Sequence, residues 1–243
     1  MCIRHAGSSS SRPVVALVGD STARSLDVGI MALSATYDWT YVAAAQNGCS
    51  LIDRRPVDGT TPPNDRCPIE NVAVRSQLLD YRPTLIIAMD RNLTTDFISE
   101  SGQRVAAGSA LHLSATELGL AAAAAALTAR GATLVLIETL PPGLPLDCAE
   151  RAGTSTSCSE LASSDRLSAE YGRIIESVAA RHPDVMRAVS ITSLVCPRDS
   201  CSPEVEGTIL RYDRVHFTKS GARWLAPHLY DLLEAAGLRD RLS

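Results

Sequence analysis

Five short apolar segments recur along the chain, and stretches with helical periodicity lie between them. The segments are Val14–Val18, Tyr41–Ala45, Thr84–Met89, Thr133–Glu138 and Val189–Val195. Continuous apolar runs of this length, rich in β-branched residues, are typical of parallel strands that are buried on both faces. They predict a five-stranded parallel sheet.

The intervening stretches predict helices that cover both faces of this sheet. They are Thr22–Leu33, Glu70–Asp80, Ser114–Arg130, Ser164–Arg181 and Lys219–Ala236. The third begins with the capping-box pattern Ser114-x-x-Glu117. Strands that alternate with helices predict an α/β protein, here a flavodoxin-like three-layer α/β/α sandwich. In such folds ligands bind at the carboxyl ends of the strands.

The chain of 243 residues is the size of one α/β domain. We predict a polar linker over residues 1–12 and a single domain over residues 13–243. Two long segments, Ser50–Pro68 and Pro141–Ser163, show no clear periodicity and are candidates for the walls of a substrate groove. The longest apolar run, Leu118–Leu127, is about half the roughly 20 residues that a spanning helix needs, so we predict no membrane span.

Composition and charge narrow the classes of function. With 45% hydrophobic and 21% charged residues the chain is that of a folded protein rather than a disordered one. The formal net charge of −4 gives no basic field to attract phosphate backbones, so nucleic acid is not an expected partner. The sequence contains no phosphate loop, dinucleotide fingerprint or metal-binding motif, so we expect no metal and no cofactor.

Six of the seven cysteines form three couples that are close in sequence. They are Cys49/Cys67, Cys148/Cys158 and Cys196/Cys201, which leaves Cys2 over. Disulfides within these couples are the leading interpretation, although six cysteines allow 15 connectivities. Reduced buried thiols and a metal site are the alternatives. Disulfides imply an oxidising compartment outside the cytoplasm.

Two short motifs at opposite ends of the domain carry candidate chemistry. Gly19-Asp20-Ser21 follows the first strand and places the Ser21 hydroxyl near a helix N-terminus, where negative charge is stabilised. Asp213 and His216 stand three residues apart before the last helix, so the carboxylate could orient the imidazole. Alone, either motif could equally be a helix cap beside an exposed side chain.

Together, the two motifs resemble those of the SGNH hydrolase superfamily. The resemblance implies that Ser21 is the nucleophile, that His216 is the general base and that Asp213 orients it. It also implies two oxyanion donors besides the Ser21 N–H. Gly48, in Gln46-Asn47-Gly48-Cys49, matches the glycine block.

The asparagine block departs from the family pattern. That pattern is Gly-x-Asn after the third strand, whereas this chain has Asp90-Arg91-Asn92. Asn92 is the candidate for the side-chain donor. Arg91, or the backbone N–H groups of Ser21 and Gly48 without a third donor, are the alternatives. Loss of one such donor typically costs about 10²–10³ in rate.

The likeness extends to one branch of this superfamily. Gly48-Cys49-Ser50, the segment from Cys196-Pro197 to Cys201, and Asp213-x-x-His216-x-Thr218 resemble the SGNH domain fused to acyltransferase-3 membrane proteins. The resemblance implies an extracytoplasmic, membrane-tethered domain without a signal sequence of its own. It also implies a membrane acyltransferase-3 domain that delivers an acyl group, and a cell-envelope glycan that accepts it.

Three functions remain open at this stage. The first is a serine O-acyltransferase that moves an acyl group, expected to be acetyl, to a glycan hydroxyl. The second is a carbohydrate esterase that uses the same triad with water as acceptor. The third is a non-catalytic glycan-binding module whose site has decayed, and the departure at the asparagine block is its only support.

Overall fold

The computed structural model describes residues 2–5, 7–9, 11–57, 63–143, 160–161 and 165–243. The described strands are β1 (Cys2–His5), β2 (Val14–Gly19), β3 (Thr40–Ala43), β4 (Arg55–Val57), β5 (Leu85–Met89), β6 (Asp96–Ile98), β7 (Arg104–Val105), β8 (Thr133–Ile137), β9 (Glu160–Leu161), β10 (Met186–Val189), β11 (Ser200–Cys201), β12 (Glu204–Val205) and β13 (Thr208–Ile209). The described α-helices are α1 (Ser21–Ser25), α2 (Asp27–Tyr37), α3 (Cys67–Asp80), α4 (Ala110–Thr128), α5 (Arg166–Arg181), α6 (Thr192–Val195), α7 (Lys219–Ala235) and α8 (Arg239–Leu242).

The central sheet has the predicted parallel core. Its strand order is β1–β3–β2–β5–β8–β10, and every pair from β3 to β10 is parallel. The five parallel strands therefore follow the flavodoxin-like order, and this confirms the predicted fold class. At one edge β1 pairs antiparallel with β3, so the linker predicted over residues 1–12 includes a sixth strand.

Helices cover both faces of the sheet, and each face packs against its helices through a separate apolar cluster. On one face Leu26 and Ile30 pack with Leu225 and Leu229, which joins the first helices to α7. The other face carries a second cluster from α3, α4 and α5, with Leu78, Leu120, Leu127, Tyr171 and Ile175 among its members. The sheet is thus the middle layer of a three-layer sandwich.

The fifth predicted strand is displaced by several residues. The prediction of Val189–Val195 was wrong for most of its length, because the strand is Met186–Val189 and α6 follows it. Glu138, at the end of β8, accepts hydrogen bonds from the Thr192 N–H at 2.9 Å and from Ser190 Oγ. These bonds turn the chain out of the sheet.

Several helices also differ from the predictions in their bounds. The helix predicted from Ser114 begins at Ala110, because Ser109 is its N-cap and accepts from the His112 N–H at 3.2 Å. Ser114 and Glu117 therefore lie inside α4. The helix predicted over Thr22–Leu33 is divided into α1 and α2 at Leu26.

Helix α4 is long and apolar enough, by length and composition, to cross a membrane. That is weak evidence for a span, since core helices of α/β folds share both properties. Here Leu120, Ala123, Ala124 and Leu127 of α4 are buried in the cluster beneath the sheet. One face of the helix therefore packs in the core, while Leu111 and Leu118 of α4 are 63% and 70% exposed.

The first of the two long segments contains structure that the sequence did not predict. Within Ser50–Pro68, strand β4 pairs antiparallel with β6, which in turn pairs with β7. Helix α3 already begins at Cys67. Most of the second segment, Pro141–Ser163, lies outside the described residues.

Candidate active site

Ser21 is presented at the carboxyl edge of the sheet by a tight strand-to-helix turn. Strand β2 ends at Gly19, and Ser21 is the first residue of α1. Gly19 has a φ of +121°, and a Cβ atom there would lie 1.9 Å from the carbonyl oxygen of Met89. Only glycine allows β2 and β5 to approach this closely before the chain turns into α1.

Asp20 stabilises this turn by accepting hydrogen bonds at both of its carboxylate oxygens. Its Oδ1 caps α1 by accepting from the Thr22 N–H at 2.8 Å. Its Oδ2 accepts from the N–H groups of Arg91 at 2.9 Å and Asn92 at 3.0 Å. The N-cap and the nucleophile candidate are thus two neighbouring residues, and Asp20 fastens the start of α1 to the turn after β5.

Ser21, His216 and Asp213 form one hydrogen-bonded chain. His216 Nε2 lies 2.8 Å from Ser21 Oγ, and His216 Nδ1 lies 2.6 Å from Asp213 Oδ2. A carboxylate only accepts, so the Nδ1–H of His216 donates to Asp213. In the neutral ring Nε2 is then the acceptor for the Ser21 hydroxyl.

Asp213 is held as a carboxylate. Partial burial alone would raise its pKa, but the backbone N–H groups of His216 and Val215 donate to Oδ1 at 2.7 and 2.8 Å. These bonds and the His216 ring lower the pKa of Asp213 below the usual value of the group. A charged Asp213 stabilises the imidazolium that forms when His216 takes a proton.

A tight turn carries Asp213 and His216 and is fixed at both of its ends. Arg211 forms an antiparallel bridge with Phe217, and the Tyr212 N–H donates to the His216 carbonyl at 3.2 Å. The Phe217 N–H donates to Ser25 Oγ at 3.1 Å, which ties the turn to α1. This tie sets the approach of the imidazole to Ser21.

The buried side chain of Arg211 fastens the same turn to the centre of the fold. Its Nη1 donates to the Pro141 carbonyl at 2.7 Å, and its Nη2 lies 3.7 Å from Cys196 Sγ. Because it is nearly completely desolvated, the pKa of Arg211 is lowered to about 10. The guanidinium therefore remains charged at neutral pH.

An open cleft of about 490 Å³ lies over Ser21 and His216, and Asn47 and Gly48 form part of its lining. Gly48 has a φ of +72°, a conformation that L side chains rarely adopt. The backbone N–H groups of Ser21 and Gly48 donate to no other described residue. Neither N–H is thus occupied by an acceptor among the described residues that line the cleft.

Asn92 and Arg91 take other positions. The backbone of Asn92 contacts Asp20, and its carbonyl accepts from the buried guanidinium of Arg54, but Asn92 is not part of the lining of the cleft. The Arg91 guanidinium donates to the Leu140 carbonyl at 3.1 Å and to Ser168 Oγ at 3.3 Å. Neither side chain forms a hydrogen bond with Ser21. The role of Asn92 as an oxyanion donor stays a prediction.

Asp90 stands where the related pattern has a glycine. It is buried, and its Oδ2 accepts from Ser50 Oγ at 2.6 Å and from the Leu51 N–H at 2.5 Å. Burial, followed by the charge of Asp20, raises the pKa of Asp90 to about 7. Asp90 fixes the segment just after Cys49 to the end of β5.

Two disulfides are present among the described residues. Cys49 is bonded to Cys67, and Cys196 is bonded to Cys201. The first joins the Gly48 loop to the start of α3, and the second lies beside Arg211. Cys148 and Cys158 lie outside the described residues, so their pairing stays a prediction.

Several residues around the site carry no sequence signal that distinguishes them from surface positions. Arg24, Asn47, Tyr212 and Lys219 are exposed and share the cleft with Ser21. The Tyr212 ring stacks on the His216 ring at 5.6 Å between centroids and an interplanar angle of 10°. Asn47 and Tyr212 adjoin the motif residues Gly48 and Asp213, and this adjacency is the signal that could have identified those two.

The arrangement is suited to nucleophilic acyl chemistry. A hydroxyl bonded to an oriented imidazole, near the N–H of Ser21 at a helix start and the N–H of Gly48 in a turn, has the parts that such chemistry needs. Among the residues that the structure describes, no three or more His, Cys, Asp or Glu side chains cluster as a metal site would.

Comparison with known proteins gives the family. Residues 2–231 match the SGNH domain that is fused to AT3 domains. Because the match spans most of the chain, the protein belongs to this family of SGNH domains. No curated protein matches the sequence.

Solved structures show the same fold at low sequence identity. The lipopolysaccharide acetyltransferase periplasmic domain of Salmonella ser. Paratyphi A has a TM-score of 0.65 and 12% identity, over 95% of this chain and 85% of that one. A putative SGNH hydrolase from Slackia heliotrinireducens has a TM-score of 0.55 and 16% identity, over 92% and 100% of the two chains. The esterase EstA from Pseudoalteromonas sp. has a TM-score of 0.52 and 13% identity, over 91% and 97%. The fold therefore occurs in both acetyltransferases and esterases.

Proposed function

We propose that the protein is an extracytoplasmic serine O-acyltransferase domain that moves an acyl group, acetyl in the first instance, to a hydroxyl of a cell-envelope glycan. The observation that carries this proposal is the chain of hydrogen bonds from Ser21 through His216 to Asp213 at the base of an open cleft. Membership of the family fused to AT3 domains supports a membrane acyltransferase as the source of the acyl group.

In the first half-reaction Ser21 Oγ forms a bond to the acyl carbonyl carbon. Its proton passes to His216 Nε2, and the carbonyl oxygen becomes an oxyanion. The N–H groups of Ser21 and Gly48 donate to this oxyanion, and Asn92 is the candidate third donor. The bond to the leaving oxygen then breaks, and that oxygen takes the proton from His216. The product is an acyl-serine.

In the second half-reaction His216 takes a proton from a sugar hydroxyl, and that oxygen attacks the acyl-serine carbonyl. The bond between the carbonyl carbon and Ser21 Oγ breaks, and Ser21 recovers its proton from His216. Asp213 stays ionised throughout and stabilises each imidazolium. The acyl group ends as an ester of the glycan.

A carbohydrate esterase is the second candidate, because the same residues catalyse hydrolysis when water replaces the sugar hydroxyl. The open form of the cleft, which admits water, favours this candidate. The two functions differ in the acceptor, so product analysis separates them.

The test supplies the protein with 4-nitrophenyl acetate, with and without a panel of soluble glycan oligosaccharides, and identifies the products by mass spectrometry. O-acetylated oligosaccharide that depends on Ser21 supports the transferase. Free acetate at the same rate with and without every acceptor favours the esterase. No turnover of any acetyl ester by the folded protein overturns both.

A further inference from the structure

Two cations share the cleft with Ser21. Arg24 lies in the last turn of α1, and Lys219, the single lysine of the chain, is the first residue of α7. Both side chains are exposed, and neither forms a hydrogen bond or ion pair with another described residue. By contrast, Arg66, Arg75 and Arg181 are each paired with a carboxylate.

The carboxylates near these cations already have partners. Asp27 also lines the cleft, but its Oδ1 accepts from Tyr41 Oη at 2.8 Å. Asp213 is bonded to the His216 ring and to two backbone N–H groups. Arg24 and Lys219 thus line the cleft without an ion-pair partner among the described residues, and the Asp27 carboxylate lines it as well. An anionic group in the cleft could bind both cations.

An aromatic side chain, Tyr212, also lines this cleft. The Tyr212 ring stacks on the His216 ring with an offset, while Tyr212 as a whole is 54% exposed. Its Oη has no hydrogen-bond partner among the described residues. A sugar ring packs well on such a side chain, because the ring face is apolar and the phenol can bond a hydroxyl.

We propose that the acceptor is an acidic glycan whose sugar ring lies against Tyr212 and whose anionic group, a carboxylate or a phosphate, is bound by Arg24 and Lys219. This proposal rests on the proposed function, since it places the acceptor hydroxyl beside Ser21 and His216. Arg24, Tyr212 and Lys219 are then the residues that determine acceptor specificity.

The test measures acetyl transfer from 4-nitrophenyl acetate to a matched pair of acceptors, methyl glucoside and methyl glucuronide, with glucose 6-phosphate as a third arm. The readout is the ratio of anionic to neutral product within each variant, so changes in the acylation step cancel. The variants are Arg24→Gln and Lys219→Gln. Arg223→Gln is the control, because it removes a positive charge from the exposed face of α7 outside the cleft.

The wild-type protein and Arg223→Gln should prefer an anionic acceptor, and each cleft variant should lose roughly threefold of that preference at low salt. A preference for methyl glucuronide identifies a carboxylate as the anionic group, and a preference for glucose 6-phosphate identifies a phosphate. Binding of the same sugars to Ser21→Ala, measured by NMR titration, should show the same order without any chemistry. Equal transfer to all acceptors, or a preference that Arg24→Gln and Lys219→Gln leave unchanged, would overturn the acidic acceptor and leave the acyltransferase intact. Absence of ester turnover would overturn the acyltransferase itself.

Discussion

His216 Nε2 lies 2.8 Å from Ser21 Oγ although 195 residues separate the two in sequence. Two independent ties produce this approach. Asp20 fixes the start of α1 to the turn after β5, and Ser25 Oγ accepts from the backbone of Phe217 next to His216. Both ties attach to α1, which is one and a half turns long: Asp20 precedes its first residue and Ser25 is its last.

Removal of the base should nearly abolish turnover. His216→Ala leaves Ser21 without a proton acceptor, so kcat for an acetyl ester should fall at least about 10³-fold. Asp213→Asn added to this variant should cost little more, because residues that act as a unit are not additive. Steady-state kinetics check this, with circular dichroism as the control for folding. If the fold-losses in kcat caused by the two substitutions multiplied in the double variant, His216 and Asp213 would not act as one unit.

Gly48→Ala separates backbone strain from oxyanion stabilisation. Gly48 has a φ of +72° with open space around a Cβ, and Gly102, in the turn between β6 and β7, has a φ of +82° and similar space. Each alanine variant should lose about 1 kcal/mol of unfolding free energy through the left-handed backbone. Alanine retains the backbone N–H, so only Gly48→Ala should lower kcat, by roughly tenfold or more, through a shift of that N–H as the strained backbone relaxes. Equal kcat in the two variants would show that catalysis does not depend on the left-handed backbone at Gly48.

The buried Asp90 should make stability depend on pH. Its pKa is raised to about 7 in the folded protein from the ordinary value of 3.8, so between these pH values the folded state holds a proton that the unfolded state releases. Stability should therefore fall as pH rises through this interval. Asp90→Asn keeps an oxygen for Ser50 and Leu51 but does not titrate. The wild-type protein should lose roughly 2–4 kcal/mol relative to this variant between pH 4 and pH 8, by urea unfolding. A constant difference would show that Asp90 titrates normally.

The two disulfides close loops of different length and should contribute differently. Cys49 and Cys67 are 18 residues apart, and Cys196 and Cys201 are 5 apart. Chain entropy gives about 3 kcal/mol for the longer loop and about 2 kcal/mol for the shorter. Cys49→Ser/Cys67→Ser should also raise KM or lower kcat, because Cys49 follows Gly48. Thermal unfolding and kinetics of both double variants test this, and full activity without the first disulfide would contradict it.

The sequence was sufficient for the parts of the molecule that short-range patterns determine. Buried strands such as Leu85–Met89 are continuous apolar runs, and Gly19 marks the turn before Ser21. The sequence was insufficient where contacts between distant segments determine the bounds or the pairing of an element. The Glu138 contact with Thr192 ends the last parallel strand early, and the pairing of β4 with β6 is visible only once the sheet has formed. Helix α3 also carries two apolar residues, Ile69 and Val72, that are 74% and 58% exposed.

The residues of the candidate site also fall into two groups, those that a sequence motif identifies and those that only the folded structure identifies. Ser21, Asp213 and His216 stand in motifs, so their residue types identified them before their geometry was known. Arg24, Tyr212 and Lys219 share a cleft only because α1 and α7 begin near each other at the same edge of the sheet. No local pattern marks an exposed arginine or lysine as part of a binding site.

The measurement that tests the central claim most directly is the intact mass of the non-reduced protein after brief mixing with an activated acetyl ester, beside Ser21→Ala. The account predicts an adduct of one acetyl group on the wild-type protein, located at Ser21 by peptide mapping, and no adduct on the variant. If deacylation to water is fast, rapid acid quenching should still trap the adduct. An acetyl group on another residue, or an equal adduct on Ser21→Ala, would contradict the assignment of Ser21 as the nucleophile.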